Sequence, residues 1–225
     1  MSLKVDTKIF HVGDAGKLPD EAVQTLAEAA KACRIIIFPT DTVYGVGSTG
    51  LIKAASRRIY QIKARPSIKP LPVLVWSVEE AKKWVQWTDQ AEKLSQKFWP
   101  GGLTLVLKPT QQGKILTFPE YQTVAIRVPN HPLLNEIIKA SGLPWVSTSA
   151  NISGSPALSK GEDVVNTFRG TVDYIVSAGN TPGGESSVID ATGKTIRILR
   201  EGKISAAQAF EVCPPENMSV MGVKK

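Results

Sequence analysis

The sequence has few of the residues that metal sites and disulfide frameworks need. Among its 225 residues there are only two cysteines and two histidines. Cys33 and Cys213 are far apart in the chain, no Cys-x-x-Cys spacing occurs, and His11 and His131 do not neighbour either cysteine. A zinc site is therefore not predicted. The low cysteine content is typical of a reducing compartment.

The chain also lacks long apolar runs. No stretch approaches the ~20 apolar residues of a membrane-spanning helix. The N-terminal stretch MSLKVDTKIFHVGDAGKL has no signal-peptide core. We therefore expect a soluble, cytoplasmic protein that does not contact a membrane.

Acidic residues are outnumbered by basic ones. There are 27 lysines and arginines against 20 aspartates and glutamates, which gives a net charge of +7. Such a balance favours anionic partners such as nucleotides or RNA, although a solvated basic surface gives the same count. Hydrophobic residues make up 42% of the chain, enough for a buried core.

Helical and strand patterns alternate along the chain, which predicts an α/β fold with a mainly buried sheet in one domain. Predicted helices cover residues 19–33, 53–65, 77–87, 88–98 and 131–141. Predicted strands cover residues 34–38, 70–76, 103–108, 123–128, 144–148, 172–177, 186–190 and 195–199.

The first polar segment at the end of an apolar strand is PTDTVYGVG, residues 39–47. Its hydroxyls and carboxylate belong to Thr40, Asp41, Thr42 and Tyr44. Its two glycines permit close backbone approach or a positive φ. Ligand sites of α/β sheets gather at strand ends, so this turn is a candidate site wall. A plain turn whose hydroxyls satisfy one another fits the same residues.

The second segment is KARPSIKPL, residues 63–71. Lys63, Arg65 and Lys69 bring three positive charges close together, and a bound polyphosphate would turn their repulsion into attraction. The alternative is that Lys63 and Arg65 cap the negative end of the preceding helix. The chain has neither the Gly-Lys-Ser of a P-loop nor a strand-to-helix GxGxxG, so Walker and dinucleotide-fold chemistry are not predicted.

The third segment is STSANISGSP, residues 147–156, which leads out of the apolar strand PWV. Small polar residues there would expose backbone N–H groups to a phosphate or a base edge. The alternative is a surface loop of Asn, Gly and Pro.

The fourth set lies near the C-terminus, in GGESSVID (183–190) and ILREG (198–202). Arg200 ends one predicted strand and Arg127 ends another, and Ser186 and Ser187 precede a third. A single cation at a strand end is usually a surface residue. Two arginines together with the serine-rich loops and the Lys-x-Arg pair favour a shared anion pocket.

Taken in order, PTDTVYGVG, KARPSIKPL, STSANISGSP, SSVID and ILREG resemble the YrdC-like family of threonylcarbamoyl-AMP synthases. The resemblance runs from about residue 20 to residue 205. It implies an α/β fold in which a twisted mixed sheet and flanking helices surround a large concave cleft. It also implies a catalytic domain over residues 1–205, as in the short single-domain form, and a C-terminal tail over 206–225 that we expect to be mobile.

The resemblance implies an enzyme that joins L-threonine, bicarbonate or CO2, and ATP carrying Mg²⁺. Its products would be threonylcarbamoyl-AMP and pyrophosphate. A tRNA-modifying threonylcarbamoyl transferase complex would then use the adenylate to modify adenosine 37 of tRNA. No metal ligand is expected from the chain itself, and Asp41 and Asp190 are candidates for the base only because they adjoin the motifs.

The resemblance also assigns residues to two ligands. The residues implied to bind ATP are Lys63, Arg65, Lys69, Thr123, Ser149, Asn151 and Arg200, and Lys63 and Arg65 are also the implied catalytic residues. The residues implied to bind threonine are Thr40, Thr42, Tyr44, Arg127, Ser147 and Ser186.

Two other functions compete with this one. A basic protein with a concave face can be an RNA-binding module without nucleotide turnover. The sequence has no RNA-recognition aromatic signature or continuous basic stripe, so any direct RNA binding is expected to be weak. Hydrogenase-maturation carbamoyltransferases share the YrdC-like unit, but their acylphosphatase and zinc-finger parts are not found in this sequence.

Overall fold

The computed structural model describes residues 5–13, 15–64, 70–118 and 120–215. These residues form ten strands, seven α-helices and one 3₁₀ helix at Gln112–Leu116. The strands are β1 (Lys8–His11), β2 (Ile36–Phe38), β3 (Gly45–Thr49), β4 (Val73–Leu74), β5 (Leu103–Leu107), β6 (Val124–Arg127), β7 (Trp145–Ser149), β8 (Tyr174–Ser177), β9 (Ser187–Asp190) and β10 (Arg197–Arg200). The helices are α1 (Asp20–Lys31), α2 (Lys53–Ile62), α3 (Val78–Trp84), α4 (Asp89–Phe98), α5 (Pro132–Ser141), α6 (Gly161–Phe168) and α7 (Ala206–Val212).

The strands form one mixed sheet in the order β1-β8-β2-β3-β7-β4-β6-β5-β9-β10. The α/β prediction with a mixed sheet is confirmed, and each predicted strand matches an observed one. The short strand β4 lies inside the sheet, between β7 and β6. Pro72 is tolerated there because it directly precedes the strand, where its missing N–H breaks no ladder bond.

The segment PTDTVYGVG is a turn only in its first half. Residues from Gly45 onward form β3, which pairs with β2 on one side and β7 on the other. Neither Gly45 nor Gly47 has a positive φ. A Cβ on Gly45 would lie 2.6 Å from the ring of Phe38, and a Cβ on Gly47 would lie 2.5 Å from the carbonyl oxygen of Val146. The glycines are therefore required by close strand packing.

Helices α1 and α5 cover one face of the sheet. Their apolar sides contact each other and the sheet residues Phe38, Leu74 and Trp145. The helix α5 begins at the N-cap His131 and ends at Gly142, whose φ of 66° suits a residue without a side chain. This helical layer covers strands β8, β2, β3, β7 and β4 but does not extend over the far end of the sheet.

The opposite face is covered along most of its length. Side chains alternate along each strand, so Val73 points into this second core while its neighbour Leu74 points to the α1–α5 face. Helices α2, α3, α4, α6 and α7 contribute the remaining apolar side chains, including Ile59, Leu94 and Phe168.

Part of the expected C-terminal tail is helical. The helix α7 starts with a capping box at Ser205 and Gln208, contacts α4, and buries Ala209. Residues 216–225 lie outside the described part of the chain. Within the described ranges, every helix is too short or too polar to pass through a lipid bilayer.

Candidate active site

A cleft of about 440 Å³ opens on the same sheet face as α1 and α5, over the part of that face that these helices leave uncovered. Its floor is formed by alternate residues of neighbouring strands, since Val106 pairs with Ala125 and Thr104 pairs with Val188. Leu199 closes the apolar part of the floor and is 54% exposed. This volume is within the range of sites that bind small molecules of nucleotide size.

The turn at residues 39–44 forms one wall of the cleft. Thr40 Oγ1 donates to the carbonyl oxygen of Val43 at 2.6 Å and lies 2.8 Å from Thr42 Oγ1. Because the single hydroxyl proton of Thr40 is used in the bond to Val43, the hydroxyl of Thr42 is the donor in the bond between the two threonines. Arg127 Nη1 in turn donates to Thr42 Oγ1 at 3.3 Å. The alternative of a self-satisfied turn is correct for these hydrogen bonds, and the same turn lines the cleft.

Tyr44 lies in the same wall, but its hydroxyl points away from the cleft. The hydroxyl donates to the carbonyl oxygen of Gly179 at 2.7 Å and accepts from the N–H of Ala178 at 2.9 Å. Burial raises the pKa of Tyr44, and the bond from Ala178 partly opposes this rise. Tyr44 therefore fixes the wall against the loop after β8, and its hydroxyl is engaged by that loop.

Arg127, at the end of β6, is the buried cation of the cleft. Its Nη2 donates to Asp41 Oδ1 at 2.6 Å and its Nε donates to the carbonyl oxygen of Gly101 at 2.9 Å. Burial lowers the pKa of Arg127, Asp41 opposes the lowering, and the charge of Arg200 adds to it. The guanidinium is thus held in one orientation beside the cleft.

Arg200, at the end of β10, is a second and more exposed cation. Its Nε and Nη2 donate to the carbonyl oxygen of Ser186 at 3.1 and 2.7 Å, and its Nη1 lies 3.0 Å from Glu185 Oε2. Ser186 Oγ also lies 3.0 Å from Thr104 Oγ1 on the floor. A bulge in β10 displaces the register between Ile198 and Arg200, which lets Leu199 and Arg200 line the cleft although they are adjacent.

Lys63 of the Lys-x-Arg motif contacts both polar residues of the Ser-x-Asn motif. Lys63 follows the last turn of α2, is buried, and donates to Asn151 Oδ1 at 2.7 Å and to the carbonyl oxygen of Ser149. Ser149 Oγ donates to the same Asn151 oxygen at 2.7 Å. Arg65 and Lys69 lie outside the described residues.

Most of the residues predicted for the site meet in this cleft. Lys63 and Asn151 do not line it but contact Ser149, which does. The predicted residues that line it are Thr40, Thr42, Tyr44, Thr123, Arg127, Ser147, Ser149, Ser186 and Arg200.

The sequence did not single out Glu185, Thr104 or the apolar floor. A signal for the floor exists, because Ala125 lies two residues from both Thr123 and Arg127, and Val188 lies two residues from Ser186. Neither suggested base lines the cleft: Asp41 lines a second cavity, and the carboxylate of Asp190 accepts from Arg197 and Thr192.

Carboxylates are scarce in the cleft. Among the described lining residues, Glu185 is the single carboxylate, and it is paired with Arg200. No group of three or more His, Cys, Asp or Glu side chains in the described part of the chain is placed to hold a metal ion. The side-chain donors that line the cleft are hydroxyls and guanidinium groups.

Comparison with protein families gives a match over residues 28–202 to the Sua5_yciO_yrdC model, whose description reads Telomere recombination. The threonylcarbamoyl-AMP synthase of Bacillus subtilis is 38% identical over 197 residues, which cover 84% of this chain and 57% of that protein. The corresponding protein of Pyrococcus abyssi is 37% identical over 181 residues, covering 80% and 53%. The chain thus spans a little over half the length of these two curated relatives.

Solved structures show the same relationship. Pyrococcus abyssi Sua5 in complex with L-threonine superposes with a TM-score of 0.83 at 31% identity, covering 92% of this chain and 60% of that one. Escherichia coli YciO superposes with a TM-score of 0.78 at 26% identity, covering 88% and 96%. The cleft, the order of its motifs and these similarities lead to one conclusion: the chain belongs to the Sua5/YciO/YrdC family.

Proposed function

We propose that this protein synthesises threonylcarbamoyl-AMP from L-threonine, bicarbonate or CO2, and ATP, with release of pyrophosphate. The observation that carries the proposal is the gathering of two different arginines in one cleft. Arg127 is buried and hydrogen-bonded on the inner wall, whereas Arg200 is half-exposed. A protein that brings an α-amino acid and a nucleoside triphosphate together needs two such cationic groups close to one another, one for the carboxylate and one for the phosphates.

The inner wall suits the amino acid. Arg127 can bind a carboxylate through N–H groups that its partners leave free. The hydroxyls of Thr42, Ser147 and Ser186 surround the same space and can contact the polar groups of threonine. Pyrococcus abyssi Sua5, which is similar to this chain, has been solved in complex with L-threonine, and this supports threonine as one of the ligands.

The outer part suits the nucleotide. Arg200 supplies a positive charge next to the apolar floor of Val106, Val188 and Leu199, against which a base can pack. Lys63 lies behind Ser149, and we assign Arg65, Lys69, Thr123, Ser149 and Asn151 to the same ligand. Mg²⁺ would arrive as part of the Mg–ATP substrate, with phosphate oxygens and water as its ligands.

The reaction needs no protein nucleophile. The neutral amine of threonine adds to CO2 and releases one proton to water, which gives a carbamate. A carbamate oxygen then attacks the α-phosphorus, and the bond from phosphorus to the departing pyrophosphate breaks. The protein would hold the two reactants in line and neutralise charge at phosphorus with Arg65 and Arg200, while Lys63 would add its positive charge from behind Ser149. A carbamate decays in water, so a cleft that excludes solvent would protect it.

The product is a mixed anhydride that must be consumed by group transfer. We propose a tRNA-modifying threonylcarbamoyl transferase complex acting on adenosine 37 as the consumer, in the cytoplasm. Direct RNA contact of this chain would be weak and secondary.

The test is pyrophosphate release from Mg–ATP, measured with and without L-threonine and bicarbonate. We expect release only when both co-substrates are present. In Lys63→Ala the rate should fall by about a hundredfold or more, because Lys63 holds Ser149 and Asn151, both assigned to the nucleotide, and its positive charge beside them is lost. Lys194→Ala, which changes an exposed lysine outside the cleft, is the control and should behave as wild type.

The opposite result is equally informative. A folded protein that binds ATP but releases no pyrophosphate with both co-substrates would refute the proposal. Salt-dependent RNA binding would then be measured next, because an RNA-binding module is the alternative that the charge of the chain allows.

A further inference from the structure

The carboxylate of Asp41 lies behind the inner wall of the cleft. Asp41 accepts a hydrogen bond from Arg127 at 2.6 Å, and the side chains of Asp41 and Arg127 are 15% and 8% exposed. Asp41 is not part of the cleft lining but borders a second, open cavity of about 510 Å³, together with His131 and Lys203. Asp41 therefore acts on a ligand in the cleft through Arg127.

The two arginines of the cleft differ in how fully their charge is compensated. The pair of Arg200 and Glu185 is 44% and 48% exposed, so water screens it and leaves Arg200 able to exchange its partner for a ligand. The pair of Arg127 and Asp41 is buried, where opposite charges attract more strongly. The cleft thus has a nearly neutral inner end and a cationic outer end.

This contrast distinguishes the two ligands assigned to the cleft. Threonine is a zwitterion with no net charge, so the carboxylate of Asp41 behind Arg127 lowers its binding affinity only slightly. A di- or triphosphate carries several negative charges. On the free N–H groups of Arg127 it would lie within the ~4–6 Å over which a neighbouring like charge acts strongly.

We propose that Asp41 is a specificity-determining positioning residue that keeps phosphate groups away from Arg127 and so reserves the inner end of the cleft for the amino acid. The phosphates are thereby directed to the outer end at Arg200. The naming of the two ligands rests on the proposed function, whereas the exclusion of polyphosphate by Asp41 rests on the geometry of the ion pair.

The experiment uses calorimetric titration of the whole protein with inorganic pyrophosphate and with L-threonine, separately and in competition. The test variant is Asp41→Asn, which removes the charge but keeps an oxygen to accept from Arg127. The matched control is Asp173→Asn, since Asp173 is also a buried carboxylate paired with arginines but lies outside the cleft.

In the wild type and in Asp173→Asn, pyrophosphate should bind without displacing threonine. In Asp41→Asn the pyrophosphate affinity should rise at least about tenfold, because a buried like charge has been removed beside the site. Pyrophosphate should then compete with threonine. Unchanged pyrophosphate affinity in a folded Asp41→Asn protein would overturn the proposal.

A folding measurement on Asp41→Asn and the competition experiment on the wild type complete the test. Circular dichroism and thermal melting show whether Asp41→Asn folds, because a buried arginine without its partner is destabilising. If Asp41→Asn does not fold, the wild type decides: pyrophosphate that displaces threonine competitively would refute exclusion by Asp41. Failure of the wild type to bind threonine would refute the proposed function instead, and the pyrophosphate titrations would still report on Asp41.

Discussion

At the scale of single residues, His131 connects the stability of a helix to pH. Its Nδ1 accepts from the backbone N–H of Leu134 at 3.3 Å and caps α5. Burial lowers the pKa of His131, while the nearby charge of Asp41 opposes the shift. The folded protein therefore favours the neutral ring, because a proton on Nδ1 would face the N–H that it now accepts from.

This arrangement predicts a loss of stability in weak acid. The pKa of His131 is lower in the folded than in the unfolded chain. Neutral His131 therefore makes its full contribution to the free energy of unfolding above the unfolded pKa of about 6.5. This contribution is lost as the pH falls through the folded pKa, since the unfolded chain then binds more protons. Wild type should lose more stability between about pH 7.5 and 5 than His131→Asn, which retains an N-cap without a titrating ring.

Urea denaturation at a series of pH values measures this difference. His11→Asn, on the exposed side of β1, controls for the loss of a histidine elsewhere. Parallel stability curves for wild type and His131→Asn would show that the cap does not depend on the ring's protonation.

Single residues also show what sequence reasoning could reach. The position of Arg127 and Arg200 at strand ends was predictable, because each arginine ends a strand and directly follows apolar residues. The structural use of the Tyr44 hydroxyl was not, because its partners lie some 135 residues away in sequence. Glu185 was missed because a carboxylate in a Gly-rich loop looks like a solvated loop residue until Arg200 is placed beside it.

At the scale of elements, apolar runs revealed some strands and concealed others. β2, β5 and β8 are dominated by apolar residues and were predicted. β3 reads GVGST and was taken as part of a turn, because its strand character depends on two neighbours that need small residues between them. The strand β1 and the helices α6 and α7 were also not predicted.

The glycines of β3 give a prediction at this scale. Gly47→Ala would place a Cβ 2.5 Å from the backbone oxygen of Val146, which cannot move without separating β3 from β7. The free energy of unfolding should fall by about 1–3 kcal/mol, as in other overpacked sites. Chemical denaturation measures it. Gly193→Ala, whose nearest atom would be 3.8 Å away, should change the free energy of unfolding far less. Equal effects of the two substitutions would refute this packing argument.

At the scale of the whole molecule, the helical layer on one face stops before the sheet does. No single segment of sequence encodes that boundary, because it depends on a strand order that places β6, β5, β9 and β10 beyond β4. The concave cleft was expected from the resemblance, but its position followed only from the assembled sheet. Val106, Ala125 and Val188 remain partly exposed on its floor.

Because none of the described helices covers the apolar floor of the cleft, we expect bound ligands to cover it and so to stabilise the folded protein. Mg–ATP with L-threonine should raise the melting temperature, because ligand at a hundred times its dissociation constant adds about 2.7 kcal/mol. In Leu199→Ser the ligand-free melting temperature should stay the same, since the side chain is 54% exposed. The ligand-induced rise should shrink, because the apolar contact is lost. Ile115→Ser, 47% exposed but outside the cleft, should change neither quantity. An undiminished ligand shift in Leu199→Ser would remove this residue from the binding surface.

The order of the strands also has a consequence for synthesis on the ribosome. Among the described residues β1 pairs with β8 alone. The cleft residue Ser186 directly precedes β9, and Arg200 is the last residue of β10. A nascent chain that has emerged only as far as β7 carries Arg127 and Ser147 but neither the outer wall nor the partner of β1. The cleft can therefore form only when nearly the whole sheet has left the exit tunnel, so incomplete chains have no assembled site in which to bind substrates.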